Sequence, residues 1–347
     1  MVRNSPSLWA SSGFARFGLA LVVAGHHAVS FWSDPVSAAL AACDSQAAVI
    51  GFLILSGYSI AASIEREPVG YIGRRALRIL PLYWLAIAAT AACMIGVDAV
   101  ITKEWCYIPA PHPLRLMGSM AFLQGFACTS VGANGVVWSL SIEVLFYALA
   151  PWLRGKSTGY VMLLASLSGA FFLLLGLRGT SPMPILGGQA AWIGWAWLLG
   201  FGLYRLPAAL AGLLSVVVPA ILSMAIGRWD HPAWSLPLIA VGLVIGFGDL
   251  LPASLRRVGD CLGGASYPLY LIHMPVFIVL TRLAQQVWQK MSIPGAGLIA
   301  SAVAVALILD WAYDRPIKRV VRWVIVSITS RRCAVSAGAQ GLAQMVR

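Results

Sequence analysis

Ten apolar runs separated by short polar connections dominate this chain: residues 14–32, 46–62, 77–95, 135–152, 160–176, 184–204, 207–226, 234–251, 266–283 and 295–313. A helix needs roughly 20 residues to cross the hydrocarbon core of a bilayer, and these runs are close to that length. They are continuous and rich in Leu, Ala and Val, whereas the strands of a membrane β-barrel alternate in hydrophobicity over ~10 residues. Helices also satisfy their own backbone groups in lipid. The chain is 60% apolar and 10% charged, against roughly 25% charged in a soluble domain, so its 347 residues leave no room for a large soluble unit. The expected fold is all-α, a polytopic membrane bundle of about ten transmembrane helices forming a single domain over 1–347. Arg16, His26 and His27 interrupt the first run and no small-residue cleavage site follows it, so it reads as a span and not as a secretory signal.

Orientation follows from the basic residues. With the N-terminus inside, the inner segments hold Arg3, Arg66, Arg74, Arg75, Arg78, Arg154, Lys156, Arg205, Arg256, Arg257 and the basic residues from Arg315 to the end, seventeen in all. The outer segments hold five: Lys103, Arg115, Arg178, Arg228 and Lys290. Lys and Arg concentrate in cytoplasmic segments, so both termini are expected in the cytoplasm and the span count is expected to be even. The net charge of +12 then belongs to the inner membrane surface and its lipids, and a nucleic-acid partner is not expected. The longest outer segment, 98–134, carries Pro109, Pro111 and Pro113, then an apolar stretch at 116–127 that is about half a span and fits an interfacial or re-entrant helix. The tail, 314–347, is basic. Its RVVRWVIV segment at 319–326, continuing to Arg331 and Arg332, reads as an interfacial helix on the inner leaflet.

Cysteine usage decides little. Cys43, Cys106 and Cys128 fall outside, where a Cys106 to Cys128 bridge is one way to tie down the long loop in an oxidising compartment, with one outer cysteine left over. No CxxC and no clustered Cys/His spacing marks a metal site, so no metal is expected.

Ionisable groups within spans are costly and face a bundle interior or a cavity, so chemistry is sought there. Arg16 and His27 are eleven positions apart, about three turns, which puts them on one helix face with His27 roughly 16 Å nearer the outside. Glu143 lies in the fourth run, and counting from the outer helix ends gives depths of ~8 Å for His27 and ~12 Å for Glu143. A carboxylate beside an imidazole can orient the ring and stabilise its cation while the ring accepts a proton from a hydroxyl. One such residue alone would be read as a packing polar. An Arg, a His and a Glu at matching faces and depths favour catalysis or transport. Arg74, Arg75 and Arg78 in GRRALRILPLYW fit a positive-inside cluster on lipid phosphates or a clamp for a nucleotide phosphate. Ser56-Gly57 in GFLILSGYSI permits close helix approach or a turn near a ligand, and His273 in SYPLYLIHMP has a ready explanation as an interior histidine beside a Pro kink.

Taken in order, these segments are similar to the acyltransferase 3 family of integral-membrane acyltransferases, which includes O-acetyltransferases of O-antigens and exopolysaccharides. The matching pieces are Arg16 with ten residues before His27, GFLILSGYSI in place of an FFVLSGF-like segment, and Arg75, Arg78, Pro81 and Tyr83 at the start of the third span. WSLSIEVLFY at 138–147, SYPLYLIHMP from Ser266, and Asp314-Arg315-Pro316 complete the set, which covers essentially the whole chain. There are two departures: IGFLIL replaces an aromatic pair before Ser56, and Asp314 stands where Glu is more usual. No appended hydrolase-like domain is expected after the tenth run, so acceptor recognition is expected of the membrane domain and its loops.

The resemblance implies a multi-pass bacterial inner-membrane enzyme. It would move an acyl group, acetyl by expectation, from cytoplasmic acyl-CoA to a hydroxyl of a cell-surface or exported glycan. In that reaction His27 is expected as general base on the acceptor hydroxyl or as transient acyl carrier, with Glu143 orienting it and Ser141 helping to position it. Arg16, Arg74, Arg75, Arg78, Ser56, Trp138 and His273 are expected around the substrates. Acyl-CoA (acetyl-CoA by expectation) is a co-substrate, with no permanently bound cofactor. The expected partners are a glycan or glycolipid acceptor, membrane lipids and polysaccharide-assembly machinery. The competing expectation is a proton-coupled transporter or flippase of a glycan or lipid precursor, which would have no particular reason to pair the cytoplasmic Arg cluster with the segment 138–143.

Overall fold

Ser5 opens the first helix: its hydroxyl accepts the Leu8 N–H at 3.1 Å, and Pro6 occupies the first turn, where a missing N–H costs nothing. The computed structural model describes residues 5–96, 112–132, 134–180, 187–228, 232–287 and 293–321. The described residues form α1 (Pro6–Phe31), α2 (Pro35–Ala41), α3 (Ser45–Arg66), α4 (Tyr71–Gly96), α5 (Pro113–Met120) and α6 (Trp138–Arg154). They continue with α7 (Thr158–Leu177), α8 (Gly188–Leu203), α9 (Ala208–Ala225), α10 (Leu236–Phe247), α11 (Ala253–Val287) and α12 (Gly295–Leu309). Among the described residues 9 helical segments are long and apolar enough to cross a membrane. They match nine of the ten expected spans, and the molecule is the all-helical polytopic bundle that the apolar runs imply. The remaining expected span, 184–204, is represented by α8, which has 16 residues; positions 184–186 lie outside the described residues.

α3 lies at the centre, buried over 89% of its apolar stretch, while α7 at the rim is buried over 22%. α1 packs most extensively on α11, and glycine makes that crossing possible. A Cβ on Gly13 would stand 2.0 Å from the Gly259 carbonyl oxygen, and one on Gly259 would stand 2.4 Å from that of Ala10. Small residues at such a seam let two backbones touch. At the far end of the same pair, His27 Nδ1 lies 3.1 Å from His273 Nε2. Each histidine follows its glycine by fourteen residues, so α1 and α11 run parallel in register for about 21 Å. Pro275 offers no N–H to the carbonyl of Leu271, and Asn134 Nδ2 donates to that carbonyl at 2.9 Å instead.

Three local expectations are corrected or fall outside view. The stretch 116–127 is not one half-span: α5 ends at Met120, and the backbone reverses at Phe122 and Gly125, both at positive φ. Buried hydrogen bonds hold this loop to the bundle, since Tyr83 donates to the Ser119 carbonyl at 2.6 Å and Gln124 donates to the Tyr83 hydroxyl at 2.9 Å. Cys106 lies outside the described residues and Cys128 is a free thiol. After α12 the chain passes through a π turn, Asp310–Asp314, where Asp310 pairs with Arg315 at 2.5 Å, and stays helical to Val321. Positions 322–332 of the expected interfacial helix lie outside the described residues.

Candidate functional site

The first cavity is built where the middle of α1, the middle of α3 and the early part of α4 converge with α6 and α11. It encloses about 80 Å³ and is lined by Arg16, Ser56, Ser59, Arg78, Glu143, Tyr147, Tyr267 and Tyr270, among others. Glu143 Oε1 accepts from the Ser56 hydroxyl at 2.5 Å and from the Tyr147 hydroxyl at 2.5 Å. Tyr147 follows Glu143 by four residues, the spacing that brings two side chains together on one helix face. Arg16 donates to the Ser59 hydroxyl at 3.0 Å and more weakly to the Leu55 carbonyl at 3.4 Å. Two guanidinium groups, Arg16 and Arg78, thus share the cavity with one carboxylate, and its net charge favours an anion.

The three arginines at the start of α4 are not equivalent. Arg78 lines the cavity. Arg75 lies over the rings of Tyr71 and Tyr147, at 5.7 and 5.9 Å from their centroids, behind the Glu143 cluster. Arg74 is turned to the preceding loop, where it pairs with the Glu67 carboxylate at 3.1 Å and donates to the Val69 carbonyl at 2.6 Å. The structure therefore brings Arg78 to the cavity and gives Arg74 a different place.

A second cavity of about 250 Å³ lies toward the other end of α1 and α3, lined by His27, Ser45, Gln46, Trp138, Trp192 and Tyr270 among others. Val49 and Tyr270 line both cavities, so the two abut there. Tyr270 is held by Ser139 at 2.8 Å and donates to the Val136 carbonyl at 2.8 Å. His27 stacks on His273, with ring centroids 5.2 Å apart and planes inclined by 25°. His273 is fully buried, and its Nδ1 meets the Leu269 carbonyl at 3.1 Å.

The expected partnership of His27 with Glu143 is replaced by two others: His27 with His273, and Glu143 with Ser56 and Tyr147. The reason is depth. Ser45 and Gln46 of α3 border only the His27 cavity, while Ser56, which holds Glu143, is ten residues beyond Gln46 on the same helix, about 15 Å deeper. Counting from helix ends gave His27 and Glu143 similar depths and carried no information on which helix would meet each side chain. His273, expected near the substrates, instead backs His27. Ser141 donates to the Trp138 carbonyl at 2.7 Å, within its own helix turn. Tyr147 and Ser59 were missed, although the first carried a signal in its four-residue spacing from Glu143.

A family model described as an acyltransferase domain matches residues 11–311. The chain belongs to the acyltransferase 3 family. Both cavities fall inside the matched stretch, so this member of the family is a multi-pass membrane acyltransferase whose polar interior lies in the family's own domain. It is similar to the exopolysaccharide production protein ExoZ of Rhizobium meliloti (strain 1021), at 25% identity over 294 residues, covering 77% of this chain and 88% of the relative. No solved structure matches the chain.

Proposed function

We propose that this acyltransferase 3 protein is a bacterial inner-membrane O-acyltransferase that takes an acyl group, acetyl in the first instance, from cytoplasmic acyl-CoA and passes it to a hydroxyl of an exported or surface glycan. The observation that carries the reading is the pair of abutting cavities, one cationic at Arg16 and Arg78 and one bordered by His27, meeting at Val49 and Tyr270. The Arg16 end faces the cytoplasm in this reading, together with both chain termini. Guanidinium groups suit a polyanionic donor. At about 80 Å³ the cavity between them takes the thioester end of that donor and leaves the nucleotide phosphates to the exposed rim at Arg78. The faces of Trp138 and Trp192 and the polar groups of Ser45 and Gln46 suit a sugar ring on the other side. The printed name of the Rhizobium meliloti relative supports an exopolysaccharide as the acceptor.

In the reaction the acceptor oxygen attacks the thioester carbonyl. His27 takes the hydroxyl proton as the C–O bond forms, the C–S bond breaks, and the proton passes to the leaving thiolate. Glu143 serves the donor side: it holds the Ser56 and Tyr147 hydroxyls in place and offsets part of the Arg16 and Arg78 charge. The test supplies membranes carrying the protein with acetyl-labelled acetyl-CoA and with exopolysaccharide from cells that lack it. Label is expected on the polysaccharide as an alkali-labile ester, and His27→Ala is expected to remove it. Label at the same level with His27→Ala, or none with the wild type, would overturn the proposal.

A further inference from the structure

We propose that His273 is a positioning residue that decides which nitrogen of His27 carries its proton, an inference that rests on the reading of His27 as the base. A carbonyl oxygen only accepts, so the 3.1 Å contact between the Leu269 carbonyl and His273 Nδ1 makes that nitrogen the donor. A neutral imidazole has one N–H, so His273 Nε2 carries a lone pair. His27 Nδ1 lies 3.1 Å from that lone pair and must therefore be the N–H donor. His27 Nε2 is left bare, which is the state a proton acceptor needs. The two tautomers of an isolated imidazole differ little, and the hydrogen bond at one nitrogen sets the proton at the other.

The surroundings make this device different from a carboxylate-backed histidine. The rings facing the pair are His26, edge-on to His27 with centroids 5.6 Å apart, and Tyr270 and Phe277, 6.4 and 5.6 Å from His273. Among the described residues no carboxylate hydrogen-bonds to either ring. A neutral partner cannot raise the basicity of His27 by charge; its effect is to choose the tautomer and hold the plane. When His27 takes a proton at Nε2, its Nδ1–H keeps the bond to His273, and no second proton has to move. The glycine seam between α1 and α11 sets the distance, because both rings sit fourteen residues beyond Gly13 and Gly259 in a parallel pair.

The experiment uses the full-length protein in lipid bilayers with ¹³C,¹⁵N-labelled histidine. Nitrogen spectra near neutral pH are expected to give His27 and His273 both as Nδ1–H tautomers with bare Nε2, the His27 signal being assigned by its loss in His27→Gln. In His273→Leu, kcat for acetyl transfer is expected to fall about a hundredfold, with the donor KM changed far less. In His273→Gln, whose side-chain oxygen can accept the His27 N–H, at least a tenth of the wild-type kcat is expected to return. A wild-type His27 protonated at Nε2, or His273→Gln as poor as His273→Leu, would overturn the inference. The tautomers are read without turnover, so failure of His27 as the base, seen as transfer surviving in His27→Ala, is told apart from failure of this idea.

Discussion

Replacing Gly13 by Ala puts one methyl group into the tightest crossing of the bundle. The added Cβ would stand 2.0 Å from the Gly259 carbonyl oxygen, 2.9 Å from its carbonyl carbon and 3.2 Å from Gly263 Cα, and real Cβ contacts do not fall under 3.0 Å. Backbone, not a flexible side-chain tip, blocks the site, so α1 must move off α11 by about 1 Å or more at that level. Overpacking of this kind costs about 1–3 kcal/mol. If the helices separate as stiff rods, the His27 to His273 contact of 3.1 Å opens to about 4 Å, beyond hydrogen-bond length. Gly18 on the same helix is the internal control, since nothing lies within 4 Å of a Cβ built there, and Ala in place of Gly favours a helix interior by up to about 1 kcal/mol. Thermal unfolding in detergent gives the stability, and acetyl transfer per folded molecule gives the function. Gly13→Ala should lose on both measures and Gly18→Ala on neither. Equal stability of the two variants would refute the packing argument. Loss of stability with normal transfer would refute the step from the glycine seam to the histidine pair.

Arg78→Ala should raise the donor KM about tenfold at low salt and less at high salt, whereas Arg74→Ala, which removes a pairing with Glu67 away from the cavity, should leave it within about twofold. Glu143→Gln keeps an oxygen for Ser56 and Tyr147 but removes the negative charge beside Arg16 and Arg78, so kcat should fall while the donor KM does not rise; a raised KM would contradict the role given to the carboxylate. Asp34, in the connection after α1, has its carboxyl held below the ordinary value by the Ala296 N–H and then by Ser37. A depressed folded value means that its stabilisation is present above the ordinary carboxylate value of about 4 and is lost as pH falls through the folded value. Unfolding followed at decreasing pH should therefore show a shallower acid limb in Asp34→Asn than in the wild type.

Spans were legible because lipid imposes a length and an apolar composition on each, and both are local properties of the chain. Arg16 and His27 were legible for a similar reason, since eleven residues on one helix fix their relative face and height without any knowledge of neighbours. The partners of His27 and Glu143 were not. Glu143 meets Ser56, 87 residues away, and His27 meets His273, 246 residues away; which face of one helix turns to which other helix depends on packing across the whole bundle. The one local clue to the first cluster was Glu143 and Tyr147 on one turn. The clue to the second was a pair of glycines four apart, Gly259 and Gly263, in the helix that carries His273. Arg74, Arg75 and Arg78 show the same limit within a single helix turn, because sequence distinguishes their azimuths but not whether Glu67, a tyrosine face or a cavity waits at each.

Helix direction bears on the count of crossings. α1 and α11 are parallel, so an odd number of membrane-crossing helices must separate them in the chain. α3, α4, α6, α7, α9 and α10 make six, and α8 is needed as the seventh. Its contacts agree: Trp192 near its start lines the His27 cavity, while Arg205 just past its end pairs with Glu65 at 3.1 Å and donates to the Lys156 carbonyl at 2.7 Å, at the ends of α3 and α6 remote from that cavity. Sixteen residues span only about 24 Å, short for lipid contact. α8 does not need to match the full bilayer thickness, however, because its residues from Ile193 to Leu203 are buried by α3 and the rest of the bundle. With α8 crossing and α12 following α11, the crossings among the described residues number ten, the count that the apolar runs of the sequence imply.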